Sequence, residues 1–244
     1  MAKIADNSTV AAPSETDPLD TTLRAHAQNV LRNAILDGRY QAGEKLVERE
    51  LCVLTGASRS ILREALVHLE AGGLIERQSY RGYSVTRLSA QKVYEIFELR
   101  TTLETMAAEL FTERASAEEI TALEEALLAL EQCLVSFDLG QMRAVKERYY
   151  EVLFTGCRNV EIRRALENVI DRIYYLRSQL MQDPARRQAS LAEMRRLTSA
   201  LIERDRLAAR AASLAHLEAA RNAVLTRMAQ DEPGHDATAA RRRA

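Results

Sequence analysis

Glycine and proline are distributed unevenly along the chain, and this limits the possible folds more than any other sequence feature. Six of the nine glycines lie at or before residue 82, whereas only Gly140 and Gly156 fall between residues 83 and 232. Pro184 is the one proline in that second stretch. Because both residues interrupt helices, we expect a turn-rich first third followed by long helices. We place the boundary between the two parts near Leu88.

The second part is predicted to form six helices. Ser116 and Glu119 have the spacing of a capping box, and Asp205 is a suitable cap for the last helix. The predicted helices are Ala90–Glu113, Ala117–Phe137, Gln141–Cys157, Val160–Met181, Arg186–Arg204 and Asp205–Met228. Amphipathic helices joined by such short connectors pack into an antiparallel bundle.

The first part is predicted to be a winged helix-turn-helix. Its helices are expected at Leu23–Asp37, Leu46–Leu54 and Ser58–Gly72, and a glycine turn separates the second helix from the third. Helix, short turn and helix in this order are typical of DNA-binding domains. The alternating stretches Leu74–Gln78 and Tyr83–Arg87 then predict a two-stranded wing.

The third helix carries the residues that favour contact with nucleic acid. Arg59 and Arg63 lie four residues apart on one face, with the hydroxyls of Ser58 and Ser60 beside them. A surface helix with solvated arginines is an equally good interpretation of this stretch alone, but its neighbours favour DNA. The segment from Thr21 to Leu88 also holds ten Lys and Arg against seven Asp and Glu, in a chain of net charge −1.

The first part resembles the DNA-binding domain of the GntR family of bacterial transcription regulators. The matching residues include Val47–Leu51, Arg63–Leu66 and Gly73–Ile75, whereas Ala42 and Ile61 stand where the family often has proline. The resemblance implies DNA contacts by Arg49, Ser58, Arg59, Ser60, Arg63, Arg81 and Gly82. The alternative for Arg49 is an ion pair with a neighbouring glutamate on the helix surface.

The second part resembles the FCD ligand-binding domain of the FadR-like subfamily. The similarity lies in Glu98–Arg100, Tyr149–Tyr150 and His216–Leu217, and the two resemblances together cover roughly residues 23 to 228. They imply a DNA-binding domain at residues 21–88 and an effector-binding and dimerisation domain at 89–230. We expect disordered tails at 1–20 and 231–244.

Many FCD domains hold a metal ion, but the corresponding positions here are poor ligands. They are occupied by Lys146, Tyr150, Met194 and His216. A lysine repels a divalent cation, and methionine is a soft donor suited to other metals. We therefore predict that this domain binds no metal and needs no cofactor.

Two interpretations of the altered site remain open. In one, Lys146 supplies the positive charge of the missing metal, and Arg100 is a second anchor for a carboxylate effector. In the other, Tyr150 and Met194 fill the cavity, Lys146 extends to solvent, and the protein acts without an effector. The tentative effector site is Arg100, Lys146, Tyr150, Met194 and His216.

The remaining features favour a cytoplasmic regulator over other classes. Cys52, Cys133 and Cys157 are far apart, which indicates neither a disulfide framework nor a zinc knuckle. No apolar run approaches the roughly 20 residues needed to span a bilayer. Nucleophile elbows, phosphate loops and paired Glu-x-x-His motifs are absent from the sequence, which argues against an enzyme.

The sequence thus predicts a homodimer on double-stranded DNA. We expect a repressor that binds a palindromic operator and responds to a small organic acid. The alternative partner for the winged helix is another protein, and replacement of Arg59 and Arg63 by alanine distinguishes the two.

Overall fold

The computed structural model describes residues 18–79, 82–136, 139–181 and 183–231 of the 244-residue chain. These residues form a mixed N-terminal domain followed by a helical bundle, which confirms the predicted fold class. No helix among them is both long and apolar enough to cross a membrane.

Three helices and three short strands make up the N-terminal domain. They are, in chain order, α1 (Pro18–Leu36), β1 (Lys45–Leu46), α2 (Glu48–Thr55), α3 (Arg59–Ala71), β2 (Ile75–Gln78) and β3 (Gly82–Val85). One apolar core, built around Leu31, Leu51 and Leu66, joins the helices to the sheet. Helix α1 begins at Pro18, inside the stretch predicted as a tail, and residues 1–17 and 232–244 of the two predicted tails lie outside the described residues.

The wing contains a strand that the sequence pattern did not predict. The strand order is β1-β3-β2, and Leu46 of β1 lies opposite Tyr83 of β3. Leu46 is therefore a buried strand residue, and the second helix begins two residues later than expected, at Glu48. A strand of two residues is too short to show the alternation by which strands are recognised in a sequence.

The C-terminal domain has the six expected helices. These are α4 (Ala90–Arg114), α5 (Ala117–Ser136), α6 (Leu139–Gly156), α7 (Val160–Leu180), α8 (Pro184–Ile202) and α9 (Arg206–Asp231). The capping box is confirmed, because the backbone N–H of Ser116 donates to the Glu119 carboxylate and that of Glu119 donates to the Ser116 hydroxyl. The Asp205 cap is confirmed by a bond from the Ala208 N–H. These caps fix where each helix starts and so which residues face the bundle core.

Candidate DNA-binding surface and ligand site

Helix α3 presents its polar start to solvent because its other face is needed for the core. Leu62, Leu66 and Leu69 are buried, whereas Arg59, Ser60 and Arg63 are exposed. The Ser58 side chain accepts a hydrogen bond from the Ile61 N–H and caps the helix. This leaves both arginines on an open surface beside the positive end of the helix dipole.

The arginines of α2 and α3 differ in their partners. Arg63 forms an ion pair with Glu48 of α2, at 3.3 Å, and its side chain is 65% exposed. Arg49 is exposed and forms no ion pair with a described residue, whether Glu48, which pairs with Arg63, or Glu50. A weak exposed pair such as Arg63–Glu48 is easily exchanged for a phosphate.

At the wing, Gly82 is exposed and adopts a φ of +84°, a backbone conformation that other residues rarely adopt. A Cβ added there would meet no atom within 4 Å, so the glycine serves the turn and leaves space above it. Arg81, the other predicted wing residue, lies outside the described residues.

The five predicted effector-site residues are all buried in the bundle, with exposures between 0 and 9%. Tyr150 and Met194 belong to the same apolar core, and Lys146 lies one turn before Tyr150 on α6. The Tyr150 hydroxyl is 3.4 Å from Nε2 of His216 on α9. The predicted site residues of α6 and α9 therefore meet at Tyr150 and His216.

Arg100 on α4 is a buried charge with unused hydrogen-bonding capacity. Its Nε donates to Glu104 at 2.7 Å, and the guanidinium lies 4.9 Å from the centre of the Phe97 ring. Burial alone would lower the pKa of Arg100, but Glu104 and Tyr150 outweigh it and raise that pKa. Tyr150 contributes to this effect through its charge and through a side-chain hydrogen bond, although neither Nη atom meets the usual hydrogen-bond geometry with an acceptor in the described residues. Burying two donor atoms without acceptors costs free energy unless another group supplies the missing acceptors.

His216 is held from its other side by a carboxylate that the sequence did not single out. Its Nδ1 lies 2.8 Å from Glu193 on α8, and Glu193 also accepts two hydrogen bonds from Arg186, at 2.7 and 2.9 Å. Burial raises the pKa of Glu193, but the hydrogen bonds from His216 and Arg186 outweigh it and lower the pKa to about 2. Glu193 thus stays ionised and orients the imidazole.

A cavity of about 470 Å³ lies beside this polar cluster. Lys146 and Tyr150 line it together with residues of α1, α6 and α7, among them Gln28, Asn29, Arg32, Phe154, Ile170 and Asp171. Lys146 is only 9% exposed, so its side chain lines the cavity wall and does not extend into solvent. Tyr150 lines the cavity and also interacts with Arg100, which is not one of the lining residues.

The chemistry of this donor set does not suit a divalent cation. Among the described residues no group of three or more His, Cys, Asp or Glu side chains is arranged to hold a metal ion. The cationic Lys146 occupies one of the corresponding positions, and Met194 offers only a soft sulfur.

Contacts between the two domains are the second feature that sequence reasoning missed. Arg32 of α1 binds Asp171 of α7 with two hydrogen bonds of 2.5 and 2.6 Å and reaches Glu147 of α6 at 3.0 Å. Burial would lower the pKa of Arg32, but the two carboxylates raise it above its usual value. Arg172 of α7 donates to the backbone oxygen of Gly72, at the end of the recognition helix, at 2.7 Å. The partners of these contacts are between 100 and 139 positions apart in the chain, so no local spacing connects them.

A winged helix with exposed arginines, joined to a helical bundle and sharing with it a cavity lined by buried and charged side chains, defines a DNA-binding regulator with a ligand domain. Comparison with known families agrees. Residues 23–85 match the model "Bacterial regulatory proteins, gntR family", and residues 95–219 match the FCD domain. The chain therefore belongs to the gntR family of bacterial regulatory proteins and carries an FCD domain.

Individual relatives support this assignment. The chain is 32% identical over 189 residues to the uncharacterized HTH-type transcriptional regulator YdhC of Bacillus subtilis, across 77% of this chain and 84% of that protein. It is 28% identical to the Nta operon transcriptional regulator of Aminobacter aminovorans, across 73% and 83%. The solved structure of E. coli McbR/YncC aligns with a TM-score of 0.76 at 20% identity and covers 84% of this chain and 98% of that one. The protein is a DNA-binding transcription regulator, and its family and relatives are regulators and not enzymes.

Proposed function

We propose that the protein is a cytoplasmic repressor that binds a palindromic operator as a homodimer and releases it when a small organic acid occupies the bundle. Arg49, Ser58, Arg59, Ser60, Arg63, Arg81 and Gly82 are the proposed DNA contacts. In a dimer, two α3 helices would enter successive major grooves about 34 Å apart on one side of the duplex. The domain limits 21–88 and 89–230 are proposed as the corresponding functional units.

The DNA side rests on the availability of the charged residues. Arg59 and Arg63 project from the first two turns of α3, and Arg49 lies exposed on α2. Each cation of this kind that neutralises a phosphate releases counterions, so binding should weaken steeply as salt increases. A protein partner for the same surface would not give that salt dependence.

The observation that carries the effector proposal is the cavity whose wall holds the buried cation Lys146; Arg100 would be a second anchor only for an acid that displaces Tyr150. A carboxylate matches a guanidinium through two parallel hydrogen bonds, and few other small groups do. To reach Arg100 from the cavity, an acid would have to displace Tyr150, which ends its interaction with His216. Lys146 in the cavity wall would attract the acid on its way.

A second candidate is a regulator that works without an effector. It is favoured by Met194, which is completely buried, and by the Tyr150–His216 contact, because these side chains occupy the corresponding metal positions. The variant Lys146→Met separates the two. If Lys146 replaces the metal charge, the acid concentration needed to release DNA should rise about tenfold or more in this variant. An unchanged acid concentration would exclude the replacement of the metal charge by Lys146.

Effector binding would act through the geometry of the dimer. An acid that binds one arrangement of the two domains more tightly shifts the population toward that arrangement. The size of the shift is set by the difference in affinity between the two arrangements. In an arrangement whose two α3 helices no longer match the groove spacing, the dimer would bind DNA more weakly, although none of the DNA-contacting residues has changed.

Selection of bound duplexes from a random pool tests the proposal directly. We expect a short palindromic sequence, bound by two copies of the chain, and release of that duplex by at least one acid from a panel of mono-, di- and tricarboxylates. Recovery of no common sequence would contradict the DNA-binding proposal, and a palindrome that no acid releases would favour the effector-independent candidate.

A further inference from the structure

We propose that the ligand cavity is completed by the DNA-binding domain, so that Gln28, Asn29 and Arg32 of α1 contact the bound acid and Arg32 transmits its arrival. This inference rests on the proposed function, since it specifies where the effector lies and how it is sensed. It goes beyond the proposed function because it places part of the effector site in the DNA-binding domain, outside the FCD domain.

The walls of the cavity come from both domains. Helix α1 contributes Gln28, Asn29 and Arg32, and these face residues of α6 and α7 across the opening. The two amides offer both donors and acceptors to a ligand. A molecule in this space would touch the DNA-binding domain directly, without a relay through the bundle.

Arg32 has a double role in this arrangement. It lines the cavity, and it also holds α1 against the bundle through its hydrogen bonds to Asp171 and Glu147. Glu147 directly follows Lys146 in α6. An incoming carboxylate competes with Asp171 and Glu147 for the Arg32 guanidinium, and it repels both acids. Binding of an acid therefore weakens the attachment of α1 to α6 and α7.

The composition of the wall selects a class of acid. Its charged residues balance, with the cations Arg32, Lys146 and Arg163 against the acids Glu147, Glu151 and Asp171. A polycarboxylate would meet these three acids, whereas a single carboxylate can pair with the cations and leave its remainder on Tyr150, Phe154, Ile170 and Tyr174. A volume of about 470 Å³ lies within the range of small-molecule sites. The class is therefore an apolar monocarboxylate.

Isosteric amide-to-acid variants test the contact with α1. Full-length protein would be titrated with benzoate, phenylacetate, cyclohexanecarboxylate and hexanoate, with citrate and succinate for comparison, while thermal unfolding is followed. Gln28→Glu and Asn29→Asp should each raise the Kd of the stabilising monocarboxylate about tenfold, because one added negative charge faces the ligand at close range. Gln132→Glu adds the same charge to an exposed position of α5 outside the cavity lining and should leave the Kd unchanged.

The possible outcomes separate this inference from the proposed function. If no acid stabilises the wild-type protein, the carboxylate effector and the composite site both fall. If an acid binds and Lys146→Met weakens it, but Gln28→Glu and Asn29→Asp do not, the effector proposal stands and the composite site is wrong. Stabilisation by citrate or succinate alone overturns the assignment to apolar monocarboxylates.

A second variant pair tests transmission by Arg32. Arg32→Lys keeps the charge but loses the fork to Asp171 and Glu147, so the acid should still bind while its effect on affinity for the selected duplex falls to about twofold or less. Arg24→Lys is the matched control, because Arg24 lies on the same helix and pairs at 3.7 Å with Glu64 inside the DNA-binding domain. Full acid-dependent release by Arg32→Lys would overturn the role of Arg32.

Discussion

Arg63 and Arg100 each form an ion pair with a glutamate, but the two pairs lie in opposite environments. The Arg63 side chain is 65% exposed and lies 3.3 Å from Glu48, whereas that of Arg100 is 1% exposed and lies 2.7 Å from Glu104. In water the first pair is screened and readily exchanged. Away from water the second fixes both partners and leaves two donors unsatisfied.

The difference shows what each domain requires of a charged residue. A DNA-binding surface needs cations that are available to phosphates, so its arginines must stay solvated and loosely paired. A ligand site needs a fixed charge whose remaining donors only a ligand of the right shape can reach. Under the proposed function, burial therefore distinguishes two uses of arginine in one protein.

The largest expected effect comes from breaking the buried pair. Glu104→Ala leaves the Arg100 charge uncompensated inside the bundle and should lower the free energy of unfolding by about 3–5 kcal/mol. Urea denaturation measures this change. Glu95→Ala removes a comparable partner from the same helix, since Glu95 pairs with Lys92 at 2.8 Å, but that pair is exposed. Equal losses in the two variants would contradict the comparison.

Removal of the exposed arginines should affect DNA binding and leave stability intact. Arg59→Ala combined with Arg63→Ala should weaken operator binding by about 100-fold or more and reduce the dependence of binding on salt. Electrophoretic mobility shifts at several salt concentrations measure both. Arg148→Ala with Arg164→Ala removes equal charge from exposed bundle positions, where Arg148 pairs with Glu151 and Arg164 with Glu161 on their own helices, and should change neither quantity.

Glu193 is expected to stabilise the bundle in a pH-dependent way. Its folded-state pKa of about 2 lies below the ordinary value of 4.5, so its contribution is complete above pH 4.5 and is lost as the pH falls towards 2. Glu193→Gln should therefore be less stable than wild type by about 2 kcal/mol at pH 7. The two proteins should converge in acid, as followed by thermal unfolding at several pH values. A constant difference down to pH 2 would show that Glu193 acts by packing and not by its charge.

The smallest expected effect is that of metal removal. Because Lys146 and Met194 stand at the corresponding ligand positions, dialysis against EDTA should leave the Tm unchanged, and elemental analysis of the purified protein should find less than one equivalent of metal. One equivalent of tightly bound zinc, nickel or manganese would show that the buried site holds a cation in spite of its lysine.

Features that depend on neighbouring residues could be predicted from the sequence, whereas features that depend on distant residues could not. Helix starts such as Ser116 and Asp205 were readable because a cap and its partner lie within three residues of each other. The helical face of Arg59 and Arg63 was readable for the same reason. Strand β1 was not, since two residues carry no periodicity and pair with a segment almost 40 positions away.

The sequence alone determined the order of the elements, the winged helix and the helices of the bundle, because apolar periodicity and capping act over a few residues. Only the tertiary structure decided that Glu193 orients His216, that Lys146 is enclosed in a cavity, and that Arg32 joins the two domains. The physical reason is that burial and ion pairing depend on which helices meet in space, and these partners lie between 23 and 139 residues apart.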